Sequence, residues 1–526
     1  MTGRSASMVA SSPPDSSQAH GLTIIDAAFA LVVIVLAYFR FRILQAGGAP
    51  PTIDGANWLA LGDEIFGHGV RSPTIVYPPL VPILAKTSVA VFGLAPGISG
   101  LAAVASTAPA IGTYVALRGL GAGLVALPPS ILLLGASSVG EATAWGGFPQ
   151  LIGLGLLPIA LVQLDRMLRT WSPRDALGAG LAFAGVLATS HLIAAVALIA
   201  GLALTIATIG RRRPRNSLKA TITSLALFAV PSLWLIPVYI SLLGAFTGTA
   251  RAVPFFSQTE WSTVLDQVEF LYRDSPWLWR TLFGLAVVAL PVFARHRSTT
   301  LWRVSASTIS AIVVAVAVTR ESRFLYVLTP FTALGLALWS THASEVARRY
   351  LGRSRPDQRA RRVATGFLVL LLAGGAWQIA VGLEFFESQR ATYGVLTPDL
   401  VRGFEIVAES TTANDTLAIT SLNDAPIGWW VEAIAKRETV YGAPIRWLLF
   451  EDEIRRATVA NELFVPPFPN RDRISEASDL GIDFVLVPTR WVFYDEAAIS
   501  DFAASYPGSV EYVTDELVVI ETALVP

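Results

Sequence analysis

The sequence predicts a polytopic α-helical membrane domain followed by a soluble α/β domain, and three observations predict it. Of 526 residues, 53% are hydrophobic and only 15% are charged, with a mean hydropathy of +0.55; soluble domains carry about 25% charged residues. Apolar runs of roughly 18 or more residues, the length a helix needs to cross a bilayer, recur from Leu22 to Gly382. They lack the period-two alternation of barrel strands. Finally, net charge is zero but unevenly spread: residues 383–526 hold 24 acidic and 10 basic residues, the remainder 15 and 29.

Residues 1–21 are polar and Ser-rich and read as a disordered cytoplasmic tail. The apolar segment Leu22–Leu44 is too long for a signal-peptide core and reads as a retained helix. The chain has no cysteine, which excludes disulfides, thiolate zinc sites and thiol catalysis. No Walker, Rossmann or zinc signature occurs, and no nucleic-acid partner is expected.

Basic loops set the expected topology. Asp165–Asp175, Arg211–Lys219, Arg295–Arg303 and Arg348–Arg362 are rich in arginine, and the positive-inside rule assigns all four to the cytoplasm. Spacing then demands an even number of crossings between consecutive loops. Thr189-Ser190-His191, Ser137–Phe148 and Thr319–Arg323 fall outside, and a last helix at about 364–382 carries the chain out. About 11 spans result, with the N-terminus cytoplasmic and the acidic domain extracytoplasmic. No crossing is left for residues 77–94, so 45–97 become one outer loop in which that segment lies on the membrane surface. Arg40 and Arg42 then flank the outer end of the first helix, where snorkelling accommodates them. The domain organisation is thus 1–21, 22–382 and 383–526.

On this topology Asp54, Asp63, Glu64, His68, Glu141, His191, Arg320, Glu321 and Arg323 gather on one face of the membrane, which suits an enzyme handling a lipid head group. A transporter more often keeps its ionisable groups near the midplane of broken helices.

Several segments carry a resemblance. They are the early Asp in a long first outer loop, the Pro78-Pro79-Leu80 start of a surface helix, TYVALRGLGAG (Thr113–Gly123), SRFLYVLTP (Ser322–Pro330) and the C-terminal outer domain. Together they resemble the GT-C superfamily of integral-membrane glycosyltransferases. That resemblance implies a polyprenyl-phosphate-linked sugar donor, a glycan, lipid or protein acceptor, and inverting transfer on the outer face of the cytoplasmic membrane. It makes Asp54 the catalytic carboxylate, suited to take a proton from an acceptor hydroxyl. The departing phosphate needs a cation, and Arg320 and Arg323 are placed for that role. A divalent cation, Mg or Mn, held by Asp54 and Glu141 would follow from the metal-dependent branch.

Each residue also has a plainer reading. Asp54 is equally placed to cap the helix that follows it. Asp63 and Glu64 are substrate ligands, a metal pair or second acid with Asp54, or a solvated helix end. Neighbours on a helix diverge, so only one of the two points inward. Tyr77 precedes two prolines and is a substrate contact or a backbone break. His191 is a substrate ligand or a core histidine, His68 a turn residue. Arg320 and Arg323 bind phosphate or pair with Glu321.

In the last domain TLAIT (Thr416–Thr420), FVLVP (Phe484–Pro488) and LVVIE (Leu517–Glu521) read as strands. Gly428-Trp429-Trp430 resembles the Trp-Trp-Asp motif of oligosaccharyltransferases but continues Val431-Glu432; two core tryptophans are the plainer reading. Tyr441–Pro444 reads as a turn facing the membrane site. The competing functional class is a transporter or scaffold for lipid-linked sugars, or a relative that binds them without turnover.

Overall fold

The computed structural model describes residues 23–68, 77–209, 218–247, 261–271, 276–294, 299–351, 358–422, 425–442 and 451–526. The N-terminal tail, much of three of the four basic loops, the His68 side chain and the turn beyond Gly442 lie outside the described residues.

The membrane part is built from α1 (Ile24–Gln45), α2 (Gly55–His68), α3 (Leu80–Phe92), α4 (Leu94–Ala105), α5 (Ala108–Gly119), α6 (Leu127–Leu134), α7 (Ser137–Trp145), α8 (Phe148–Thr170), α9 (Pro173–Thr189), α10 (His191–Ile209), α11 (Leu218–Ala229), α12 (Ile236–Thr247), α13 (Trp261–Leu271), α14 (Pro276–Val292), α15 (Thr300–Thr319), α16 (Leu328–Leu351) and α17 (Gln358–Tyr393). Among the described residues seven helices are long and apolar enough to cross a membrane, or eight if the bent pair α6–α7 is one span. Leu31, Ile34, Leu202 and Ile206 on α1 and α10 are more than half exposed. Such rows of bare aliphatic residues suit hydrocarbon, not water. This is a multi-pass membrane protein.

Close packing makes the bundle. A Cβ at Gly112 would lie 1.7 Å from the Gly155 carbonyl oxygen, so α5 and α8 touch backbone to backbone, as small residues permit in membranes. Near the C-terminal end of α8, the fully buried Asp165 carboxylate takes Arg303 Nε and Nη2, each at 2.8 Å, and the Thr300 hydroxyl at 2.6 Å. That pair pins α8 to α15. Thr23 caps α1 through Asp26, whose carboxylate also holds Arg118 and Tyr114 of α5.

Two expectations are corrected here. Arg40 does not snorkel. It is 1% exposed and donates to the Ser106 carbonyl at the end of α4 and the Leu134 carbonyl at the end of α6, with its guanidinium 5.8 Å from the Phe386 ring. A helix end leaves carbonyls without partners, and an arginine can close two of them at once. Ser137–Phe148 is not a loop: it forms α7, bent 49° from α6 and almost wholly buried.

The segment 77–94 holds the short apolar helix α3, which packs on α2 and α4. Gly93, at φ 85°, makes the sharp turn between α3 and α4, a conformation glycine adopts freely. Phe66, Val91 and Phe92 are left more than 60% exposed on this pair.

The long helix α17 runs on to Tyr393. The sheet unit opens with α18 (Pro398–Ser410), capped by Thr397. It continues with β1 (Thr416–Ile419), β2 (Ser421–Leu422), β3 (Ala425–Pro426), α19 (Gly428–Ala435), β4 (Glu438–Tyr441), α20 (Glu451–Leu463), α21 (Arg471–Asp479), β5 (Phe484–Pro488), α22 (Glu496–Ser505), β6 (Val510–Thr514) and β7 (Leu517–Glu521). The main sheet has the order β4-β1-β5-β7-β6. β1 pairs in parallel with β4 and β5, Ala418 against Val440 and Val485, while β7 is antiparallel to β5 and β6. All three strands read from sequence are present. β2, β3, β4 and β6 were missed: β2 and β3 have two residues each, Glu-Thr-Val-Tyr is short, and Val-Glu-Tyr-Val-Thr is an exposed edge without an apolar run.

Candidate functional site

The loop between α1 and α2 folds back onto the α7–α8 turn. The Asp54 amide donates to the Trp145 carbonyl at 3.0 Å, and Trp58 Nε1 donates to the Gly146 carbonyl at 2.7 Å. Gly146, at φ 103°, ends α7 in the left-handed region; a Cβ there would stand 3.0 Å from that of Asp54. Glycine is therefore required both for the turn and for the approach. Among the described residues no hydrogen bond reaches the Asp54 carboxylate. Enclosure in protein pushes its pKa up to about 7, against the pull of the Arg323 guanidinium. A carboxyl near neutrality with idle lone pairs is chemically fit to accept a proton.

Around it stand side chains from other elements. Tyr77, 7% exposed, lies 4.7 Å from the Trp58 ring and edge-on to His191 at 5.1 Å, and hydrogen-bonds Ser190. Burial raises its phenol well above the ordinary value. Arg323 sits in the 3-10 turn Ser322–Val327, with Nε 2.9 Å from Glu321 Oε1. Burial would raise the Glu321 carboxyl, but Arg323 outweighs it and holds the pKa below the ordinary value. Arg323 is about a quarter exposed and acts electrostatically on both Asp54 and Tyr77. The site thus brings together Asp54, Tyr77, His191 and Arg323.

Other sequence candidates lie elsewhere. Arg320 caps α15 at φ 55° and places its guanidinium over Trp261 at 6.0 Å, exposed to the surroundings. Asp63 pairs with Lys86 of α3 and with Lys436, the cap of α19. Nine residues from Asp54, it is about 13 Å further along the chain's helical path. Glu64 is half-buried beside it on α2.

Glu141 is 4% exposed inside the bundle. Its Oε2 accepts from the Tyr326 hydroxyl and from Trp145 Nε1 at 3.2 Å, and its Oε1 accepts from the Tyr393 hydroxyl at 3.2 Å. Mg or Mn requires oxygen lone pairs turned to the ion. Those of Glu141 are turned to three donors, and no group of three or more metal-ligating side chains occurs among the described residues. Three of the roughly four lone-pair sites of Glu141 are thus taken, so a cation held with Asp54 would have to share this carboxylate with Trp145, Tyr326 and Tyr393.

Sequence reasoning missed Trp58, Trp145, Tyr326 and Tyr393. Tyr326 had a signal: it follows Arg323 by three residues, one turn of a 3-10 helix. The others are brought in by tertiary packing alone.

Solved structures share this architecture. ArnT from Cupriavidus metallidurans in the apo state superposes with a TM-score of 0.58 at 15% identity, covering 95% of this chain and 98% of that one. The same protein bound to undecaprenyl phosphate gives 0.56 at the same identity and coverage. The oligosaccharyltransferase of Archaeoglobus fulgidus tethered to an acceptor peptide gives 0.50 at 13% identity, covering 88% of this chain and 69% of that one. The fold is GT-C. No protein-family model matches the chain, and no curated protein matches it, so the GT-C likeness rests on three-dimensional form. Within that form the α1–α2 loop, the α7–α8 turn and the Ser322–Val327 turn meet at one end of the bundle, against the sheet unit.

Proposed function

We propose that this GT-C protein is a membrane glycosyltransferase that moves a sugar from a polyprenyl-phosphate-linked donor to an acceptor on the outer face of the cytoplasmic membrane. The observation that carries the reading is the Asp54 carboxylate, free of hydrogen bonds among the described residues and within the field of Arg323. The similarity in form to ArnT, which has been captured with undecaprenyl phosphate, supports the donor class.

In this reading Asp54 takes the proton of an acceptor hydroxyl as its oxygen bonds to the anomeric carbon. The bond from that carbon to the phosphate oxygen breaks, with inversion, and the lipid phosphate leaves carrying the electron pair. Arg323 meets the growing negative charge, which is the arrangement that lowers such a barrier most. Tyr77 and His191 line the same space and contact the donor. Arg320 gives the lipid phosphate its electrostatic approach from the rim. Asp63 and Glu64 support the loop that carries the base. The acceptor is a glycan, lipid or protein. No step is routed through a metal.

The test uses purified protein in lipid nanodiscs with a panel of undecaprenyl-phosphate sugars. Wild type is expected to release undecaprenyl phosphate, and Asp54→Asn to lose about 100-fold or more of that rate. Equal turnover by the two proteins would overturn the assignment of Asp54. A wild type that binds the donors but never releases the sugar favours a scaffold or transporter.

A further inference from the structure

The sheet unit grips the Asp54 loop directly. Trp430 is fully buried, and its indole Nε1 donates to the Thr52 carbonyl at 3.0 Å, two residues before Asp54. A Cβ at Gly55 would stand 3.4 Å from the Trp430 ring, so the indole touches the loop on both sides of Asp54. At the far end of the same short helix, Lys436 pairs with Asp63. Helix α19 therefore touches α2 at its start, through Trp430, and in its third turn, through Lys436. It is itself seated firmly: a Cβ at Gly428 would come within 2.3 Å of the Tyr441 side chain on β4, and the Trp429 ring lies 5.5 Å from that of Tyr441.

We infer that Trp430 is a positioning residue through which the outer sheet unit sets the pose of the Asp54 carboxylate. The path is short and stiff: β4, Tyr441, α19, the indole N–H, the Thr52 carbonyl, Asp54. The buried Thr52 carbonyl would lose its partner if the indole withdrew, so the contact has a strong preference for being made. The consequence is that the sheet unit completes the membrane site. Its effect on turnover rests on the glycosyl-transfer reading; its effect on the loop does not.

The test compares wild type, Trp430→Phe and the full-length protein carrying 3-benzothienylalanine at 430, which replaces the indole N–H with sulfur at nearly unchanged ring shape. Trp491→Phe, in the separate aromatic cluster with Phe464 and Phe468, is the control. Hydrogen exchange is followed in the peptide spanning Ile53–Trp58, because the Asp54 and Trp58 amides are bonded to the Trp145 and Asp54 carbonyls. Both position-430 variants should exchange there about threefold to tenfold faster, while the sheet unit and the control keep wild-type exchange. With a turning-over donor, kcat should fall by a similar factor, with KM for the lipid donor unchanged since Arg323 is untouched. Faster loop exchange without turnover by any protein, wild type included, upholds the positioning role and sinks the glycosyl-transfer reading. Where Trp430→Phe loosens the whole sheet unit, the benzothienyl variant decides. Unchanged exchange in the Ile53–Trp58 peptide of that variant overturns the inference whatever the activity.

Discussion

Asp54 combines two properties that rarely coexist, an uncommitted carboxylate and enclosure by protein. Enclosure lifts its pKa to about 7, above the ordinary value of 3.8. The sign for stability follows: the folded protein holds this proton more tightly than the unfolded chain, so the group's stabilising contribution is complete below about pH 4 and is lost as pH rises through about 7. Activity runs the other way. We predict that kcat/KM climbs with pH up to about 7 and levels off above it, measured as lipid-phosphate release across a buffer series; a flat profile between pH 5 and 8 would contradict a base of this kind. The two arginines should also separate. Arg323→Ala should raise the donor KM or cut kcat by about tenfold or more, whereas Arg320→Ala, exposed over Trp261, should change either by less than about threefold. Parallel initial-rate measurements on both variants check this.

At the scale of elements, buried charges fasten helices whose apolar faces alone would slide. Arg303→Ala would leave the fully buried Asp165 carboxylate between α8 and α15 with only the partly exposed Arg169 as a cationic partner. Breaking a buried pair from one side costs about 3–5 kcal/mol, so a melt in detergent should show a clear loss, and Asp165→Asn with Arg303→Met should recover much of it. Glu141 plays a comparable part nearer the site. It gathers Trp145, which holds the Asp54 amide, Tyr326, on the turn that bears Arg323, and Tyr393, on the helix leading to the sheet unit. Glu141→Gln should therefore lower turnover in a way that added Mg or Mn does not restore, read by titrating each ion into the variant.

For the whole molecule we predict that the sheet unit faces away from the cytoplasm. The arginines of the α8–α9 turn and the sheet unit lie at opposite ends of the helices, and the positive-inside rule sends the former to the cytoplasm. The chain has no cysteine, so single replacements report cleanly. Ser505→Cys on the exposed end of α22 should react with an impermeant maleimide in intact cells, and Thr170→Cys only after permeabilisation. The reverse pattern would place the site on the cytoplasmic face and exclude outer-face transfer.

Much of this was legible in the chain itself, for physical reasons that are local. Helices that meet lipid must be long and apolar, so runs such as Leu22–Leu44 announce themselves. Strands buried on both faces, such as FVLVP and LVVIE, do the same. The opposite charge of 22–382 and 383–526 predicts two parts, and the long loop after the first apolar run offers Asp54 as a candidate. Tertiary structure decided what depends on partners distant in sequence. It turned Arg40 inward, because two broken helices present carbonyls that only packing brings together. It committed Asp63 to two lysines and Glu141 to three donors. It parted Arg320 from Arg323 by placing the first in the left-handed cap of α15 and the second in the following 3-10 turn. And it laid Trp430, 376 residues away in the sequence, against the loop that carries Asp54, a contact with no local signature because both partners acquire it only when the two domains close on each other.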